Sequence, residues 1–193
     1  MTEDVDAEKR ALRAELRERR RIRTSTERAA DTAALTQRLI DLVTDLHVGF
    51  LAAYLSMPDE PDTRDFLQWT CTVGTRVLLP VSRTDGLLDW ASYDGEDEDI
   101  DILGMPTPTS ELLGPIAINR VDLILVPAAA VDRAGMRMGW GGGYFDKTLG
   151  SMEACPPVYA VIFDEELVDS VPSEVHDKRV DGVVTPSGVV RFS

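Results

Sequence analysis

Ala134-Gly135-Met136-Arg137-Met138-Gly139-Trp140-Gly141-Gly142-Gly143-Tyr144-Phe145-Asp146-Lys147 places five of the chain's fourteen glycines within nine residues, with an arginine, three aromatics and an acid among and just after them. A glycine-rich backbone presents several N–H groups to an anion with no Cβ in the way, and Arg137 adds a planar guanidinium suited to phosphate. Upstream, Val121-Asp122-Leu123-Ile124-Leu125-Val126-Pro127 is an apolar run closed by proline, the pattern of a buried strand. Downstream, Tyr144 to Leu149 suits a helix opening at the glycines. Strand, glycine-rich loop and helix N-terminus together make a phosphate-binding arrangement in α/β proteins. The stretch has neither G-x-x-x-x-G-K-[ST] nor G-x-G-x-x-G. Taken alone, it is also compatible with a flexible surface loop.

Composition narrows the surroundings. The 193 residues make one domain the default, with 44% hydrophobic and 6% aromatic content. No apolar run reaches the roughly 18 residues of a membrane span, and the charged N-terminus lacks the apolar segment of a signal peptide. Cys71 and Cys155 form no C-x-x-C, so neither zinc nor a disulfide framework is indicated. A cytoplasmic location is expected. The net charge of −14 is uneven. Residues 1–40 hold ten Lys/Arg against eight Asp/Glu, and the remainder ten against twenty-six. An acidic body argues against a broad nucleic-acid or anionic-membrane surface, so Arg137 needs an explanation.

Residues 7–23 are rich in helix formers, with Leu12, Leu16 and Ile22 as a thin apolar stripe. Lys9 and Arg13 are four apart and share a face, able to grip one anion together or to be solvated. Thr24 and Glu27 have the spacing of a capping box, and Leu35, Leu39, Leu42, Val43 and Leu46 continue a second helix to about Leu46. Val48 to Leu55 reads as a central strand running into the acidic, two-proline loop 56–63. There Glu60 is either an acceptor for heterocycle N–H groups or a solvated loop acid, and Thr63 is placed to cap a third helix, Arg64 to Val73. Further strands are expected at Arg76–Pro80, Leu87–Tyr93, Asp122–Val126, Val158–Phe163, Gly182–Thr185 and Val189–Phe192. The acidic run 94–99 reads as solvated loop, and Pro106 to Thr109 as a rigid connection. Strands alternating with helices indicate a single three-layer α/β/α domain over residues 1–193, around a mixed, mostly parallel sheet.

In order and spacing, several pieces resemble the 5-formyltetrahydrofolate cyclo-ligase family, also called 5,10-methenyltetrahydrofolate synthetases. They are Lys9-x-x-x-Arg13, the strand leading to Tyr-Leu-Ser-Met-Pro-Asp-Glu-Pro-Asp-Thr, Leu-Val-Pro followed by Gly-x-Arg-x-Gly-x-Gly-Gly-Gly-Tyr-Phe-Asp, and Pro172 to Asp181 ending in Val-Val-Thr. The resemblance runs from about Lys9 to Thr185, and residues 137–146 are its most specific part. It implies a fold like that of sugar-phosphate isomerases and CoA transferases. It also implies an enzyme that, with ATP and Mg²⁺, converts 5-formyltetrahydrofolate to 5,10-methenyltetrahydrofolate, ADP and phosphate. On matching positions, Lys9, Arg13, Arg137, Gly139, Gly141, Gly142, Gly143, Tyr144 and Phe145 are implied to hold ATP, with Arg137 the catalytic charge. Asp146 and Asp177 are implied as Mg²⁺ ligands, and Leu55, Glu60, Trp140 and Tyr144 as folate contacts. The expected partners are these two substrates, with no nucleic acid and no membrane, and the chain is expected to be a monomer.

This chain departs from the pattern where some members have a basic residue at the position of Trp140, a lysine at that of Gly142 and a second tyrosine at that of Phe145. His47 has no evident role, and His176 neighbours the implied ligand Asp177. The competing readings are a folate- or nucleotide-binding protein without turnover, and a transferase or isomerase of the same fold, since fold alone does not give function.

Overall fold

Leu123 and Leu125 belong to one buried cluster, while Ile124 and Val126, the residues following them, belong to another. A strand sends successive side chains to opposite faces. A continuous apolar run is therefore stable only when both faces are covered. The computed structural model describes residues 2–95, 97–173 and 177–192. In chain order its elements are α1 (Thr2–Arg21), α2 (Ser25–Asp45), β1 (Phe50–Ala52), α3 (Arg64–Val73), β2 (Arg76–Ser82), β3 (Leu88–Ser92), β4 (Glu98–Ile100) and β5 (Pro106–Pro108). They continue with β6 (Leu123–Pro127), β7 (Ala130–Asp132), β8 (Arg137–Met138), α4 (Tyr144–Ser151), β9 (Val158–Val161), β10 (Leu167–Val168), β11 (Gly182–Thr185) and β12 (Gly188–Arg191).

The main sheet has seven strands in the order β12-β11-β9-β6-β1-β2-β3. The five inner strands are parallel, and β12 and β3 pair antiparallel at the two edges. Leu35, Leu39 and Leu42 of α2 and Phe66 and Leu67 of α3 cover one face, against Val77, Leu79, Leu125 and Tyr159. Leu149 of α4 and Ile118 of a 3₁₀ turn cover the other, against Leu78, Ile124, Val126 and Ala160. This is the expected α/β/α arrangement with a mixed, mostly parallel sheet.

From β1 the chain moves to β2 on one side, and from β6 it moves through β9 to β11 on the other. The reversal falls between β1 and β6. Open α/β sheets bind ligands outside the carboxyl ends of their strands at such a point.

α1 does not cover the main sheet. Leu16 and Leu12 pack instead with Ala129, Ala130 and Met138, on a small second sheet ordered β10-β7-β8. A buried ion pair fixes the helix there. Arg20 donates from Nε and Nη2 to the two Glu166 oxygens at 2.6 and 2.8 Å, and from Nη2 to the Ala128 carbonyl at 2.8 Å. Both side chains are 2% exposed. The Thr24–Glu27 capping box forms as the spacing implied: Glu27 N donates to Thr24 Oγ1 and Thr24 N to Glu27 Oε2.

Several expectations need correction. Only Phe50–Ala52 of the run 48–55 pairs as strand, because Tyr54 to Ser56 turn away as buried irregular chain. Thr63 stands at the N-cap of α3, as expected, but its side chain makes no capping bond: its hydroxyl donates to the Tyr54 carbonyl at 2.7 Å, and Asp62 Oδ1 accepts the Arg64 N–H instead. Ile22 is 69% exposed and belongs to no apolar stripe. The end of the acidic run is strand β4, whose partner β5 is the stretch expected as a connection; Arg64 pairs with Glu98 there.

The glycine stretch is also subdivided. Arg137 and Met138 form β8, paired antiparallel to β7, so the loop proper is only residues 139–143. Gly135 serves the β7–β8 turn. Its φ is +82°, and a Cβ there would lie 2.7 Å from the Val180 carbonyl.

Candidate active site

A cavity of about 560 Å³ opens at the carboxyl ends of β1 and β6. α1 contributes Asp6, Lys9 and Arg13, the chain leaving β1 contributes Tyr54 and Leu55, and β6 contributes Pro127. Arg137, Gly139, Trp140, Gly141, Gly142, Gly143, Tyr144, Phe145 and Asp146 form one wall, with Asp177 beside them. The hairpin loop between β4 and β5 adds Asp101, Leu103 and Met105. The structure thus gathers every residue singled out from the sequence except Glu60, which lies outside the lining.

Among the described residues, four carboxylates (Asp6, Asp101, Asp146, Asp177) and three cations (Lys9, Arg13, Arg137) line the cavity, one net negative charge. Two of the cations are engaged by carboxylates. Lys9 Nζ donates to Asp177 Oδ2 at 2.7 Å, with side-chain exposures of 6% and 10%. Arg137 Nη2 donates to Asp146 Oδ1 at 2.6 Å, and Nη1 to the Pro127 carbonyl at 3.3 Å. The guanidinium lies so close to the loop that a Cβ on Gly139 would come 2.9 Å from it. Arg13 donates from Nε to the Gly139 carbonyl at 2.8 Å, joining α1 to the loop. Its pKa is lowered by burial, and further by the charge of Arg17.

Three donors on this lining are buried without a hydrogen-bond partner: Tyr54 Oη, Arg137 Nε and Trp140 Nε1. Burial pushes the Tyr54 hydroxyl well above its ordinary pKa, so it stays protonated. Buried polar groups are normally satisfied, and three orphans around one cavity fit a site shaped for a polar ligand.

Trp140 is held from α1, with the guanidinium carbons of Arg20 and Arg17 4.7 and 5.1 Å from its ring centroid. Tyr144 donates its hydroxyl to the Arg83 carbonyl at 3.1 Å. Phe145 packs against the cluster that includes Leu149 and Ile162, an apolar setting for the position without a hydroxyl. Asp101 is structural. Burial pushes its carboxyl up, but hydrogen bonds from Ser82, Met105 and Leu103 N–H groups outweigh this and hold it below its ordinary value.

Glu60 accepts from Met57 N at 2.9 Å. Burial raises its pKa, the Met57 N–H and Arg20 oppose the rise, and its charge acts on Tyr54. His47 is exposed, with Nδ1 3.0 Å from the Asp45 carbonyl and a φ of +56°. His176 lies outside the described residues.

Among the described residues no group of three or more His, Cys, Asp or Glu is arranged to hold a metal ion. Asp146 and Asp177 are nevertheless two hard oxygen donors on one lining. That set suits Mg²⁺, which keeps several waters and takes one or two carboxylates plus phosphate oxygens.

Tyr54, Leu103 and Met105 were not assigned from the sequence. Tyr54 had a usable signal, one residue before Leu55 at a strand end. For the hairpin loop, the resemblance of Leu103 to Pro106 to a part of the family that often contributes a pterin contact assigned no particular residue, since its place over the cavity depends on Asp101 reaching Ser82.

The sequence pattern of the 5-formyltetrahydrofolate cyclo-ligase family matches residues 5–186. The chain belongs to that family. The 5-formyltetrahydrofolate cyclo-ligase of Mycolicibacterium smegmatis is 38% identical over 146 residues, covering 72% of this chain and 75% of that protein. The Escherichia coli protein of the same name is 29% identical over 180 residues, covering 90% and 98%. The fold is that of the 5,10-methenyltetrahydrofolate synthetase of Aquifex aeolicus, with a TM-score of 0.80 at 22% identity over 95% of this chain and 92% of that one. Within this cyclo-ligase family member no helix is long and apolar enough to cross a membrane, among the described residues.

Proposed function

We propose that the protein closes the ring of 5-formyltetrahydrofolate with ATP and Mg²⁺, giving 5,10-methenyltetrahydrofolate, ADP and phosphate. The observation that carries this is the gathering, in a chain of this family, of a buried arginine, a glycine-rich wall, two carboxylates and three unpartnered donors around one cavity. A formamide carbon is a poor electrophile because its oxygen leaves badly. The γ-phosphoryl group passes to the formyl oxygen as ADP departs, N10 attacks the formyl carbon, and phosphate then leaves with that oxygen. N10 gives up its proton. The demands on the protein are alignment and neutralisation of charge on the transferred group.

Arg137 is rigidly held against the loop and supplies that charge. Arg13 and the N–H groups of 139–143 hold the rest of the triphosphate. Asp146 and Asp177 would hold Mg²⁺, which when bound offsets phosphate charge and lets these carboxylates share Lys9 and Arg137 with the nucleotide. Leu55, Trp140 and Tyr144 form the wall for the folate rings, and Glu60 is the acceptor for pterin N–H groups beside the Tyr54 hydroxyl.

Mixing the protein with 5-formyltetrahydrofolate, ATP and Mg²⁺ should produce the methenyl chromophore in the near ultraviolet together with ADP. Binding of both substrates with neither product appearing would instead make it a binding protein of this fold.

Glu60 has its own test. Its raised pKa means that it takes a proton at a higher pH than an ordinary glutamate, so acceptor strength is lost earlier on acidification. The KM for 5-formyltetrahydrofolate should therefore rise as pH falls from neutral, while the KM for ATP follows a different curve. Glu60→Gln should weaken folate binding about tenfold at neutral pH, the scale of one charge-assisted hydrogen bond, and flatten that dependence. Equal losses for folate and ATP would show only that the loop had been displaced.

A further inference from the structure

Among the described residues the cavity lining carries more negative than positive charge, yet the proposed substrate is a polyanion. Its glycine-rich wall has Trp140 and Gly142 where a cation would help. Beside Arg137, which Asp146 engages, the positive charge at that wall comes from α1. Lys9, Arg13 and Arg17 follow at four-residue intervals, so they share one face at steps of about 6 Å along the axis. Lys9 is committed to Asp177, and Arg13 bonds a carbonyl of the loop.

Arg17 differs from both. It is exposed, and among the described residues it has no carboxylate partner. Its neighbours on the helix surface are paired: Arg19 with Glu15 and Arg21 with Glu18. Its guanidinium instead lies 5.1 Å from the centroid of Trp140, whose other guanidinium contact among the described residues, Arg20, is locked by Glu166. Its charge also bears on Arg13, a lining residue whose pKa it helps to lower. The charges of Asp177 and Asp6 act on Arg13 in the opposite sense, and two guanidinium groups on one helix face can meet an anion together.

We infer that Arg17 is a further nucleotide-binding residue, its guanidinium held on the Trp140 face to meet the ATP phosphates together with Arg13. This rests on the cyclo-ligase reading for the identity of the nucleotide. Trp140 takes the place of a loop cation by anchoring one that comes from the helix. A planar guanidinium stacks on an indole and still presents N–H groups at its edge, which an ammonium does not do.

The test uses the full chain. Mg·ATP binding is measured calorimetrically without folate, alongside KM and kcat from the chromophore assay. Arg17→Ala should raise the Kd and KM for ATP about tenfold while the KM for 5-formyltetrahydrofolate is unchanged and kcat is retained, the pattern of lost uniform binding. Arg17→Lys should recover only part of the loss, and the difference from wild type should shrink at high salt, since the group is exposed. Arg19→Ala, which removes a neighbouring charge already paired with Glu15, should leave ATP binding as it was. An unchanged ATP Kd in Arg17→Ala overturns the inference. So does a rise confined to the folate KM, which would assign Arg17 to the folate carboxylates, or an equal loss in Arg19→Ala, which would reduce the effect to helix charge. Wild-type protein that binds Mg·ATP but yields no chromophore overturns the cyclo-ligase reading alone, and the calorimetric arm still decides the role of Arg17.

Discussion

Arg137→Ala is expected to lower turnover by at least about a hundredfold, the scale of losing one charge contact aimed at a transition state. The residue is 3% exposed, pinned by Asp146 and the Pro127 carbonyl, and its Nε has no partner. It is the only cation of the stretch 134–146. No other side chain of the loop can take its place. The loss should appear in kcat, with the KM for 5-formyltetrahydrofolate little changed, because the proposed contact would strengthen only as the phosphoryl group moves. The substitution also leaves Asp146 without its cation, so thermal unfolding must be followed in parallel. Arg137→Lys keeps the charge but not the fork, and should recover stability more than rate. Wild-type turnover in a folded Arg137→Ala protein would remove this residue from the transition state.

Arg20→Ala should have the largest effect on stability, about 3–5 kcal/mol, because it strands a buried carboxylate. For a chain of this size that corresponds to a fall in Tm of roughly 10 °C. Arg20 ties α1 to Glu166 and to the chain between β6 and β7, and supports Trp140 from below Arg17's level on the helix. The pH dependence has a definite sign. Burial holds the Glu166 carboxyl above its ordinary value even beside Arg20. A folded-state pKa above the unfolded one makes this group's contribution fullest below the unfolded pKa, and the contribution is lost as pH rises through the folded value. Without Arg20 that folded value rises further. The deficit of Arg20→Ala should therefore be largest at neutral pH and shrink on mild acidification, as Glu166 enters the fold protonated. Urea unfolding at the two pH values measures this; a deficit independent of pH would mean that Glu166 had found another cation.

Much of the scaffold was legible because it depends on local pattern. The apolar runs at 123–126 and 158–161 are strands with both faces buried, and Thr24 with Glu27 caps α2 through contacts three residues apart. Thr63 takes the expected N-cap position without a side-chain cap because its hydroxyl has a non-local alternative, the Tyr54 carbonyl nine residues back, which no spacing rule reveals. The strand pair β4–β5 was missed for a similar reason: an acidic segment and a proline-bounded one have poor strand propensity separately, and only their mutual pairing makes them strands.

The sequence by itself determined the alternation of strands and helices, through periodicity, and pointed to the family and to the residues that gather at the cavity through the resemblance of its motifs in order along the chain. Tertiary structure decided how those residues are engaged. Lys9 meets Asp177 across 168 positions, and Arg137 turns back onto Asp146 once β8 pairs with β7. Arg13 reaches the loop and Arg17 reaches Trp140 only because α1 lies on the small second sheet rather than on the main one. Charge compensation in a cavity depends on distances across the fold, and such distances are settled by packing, not by order along the chain.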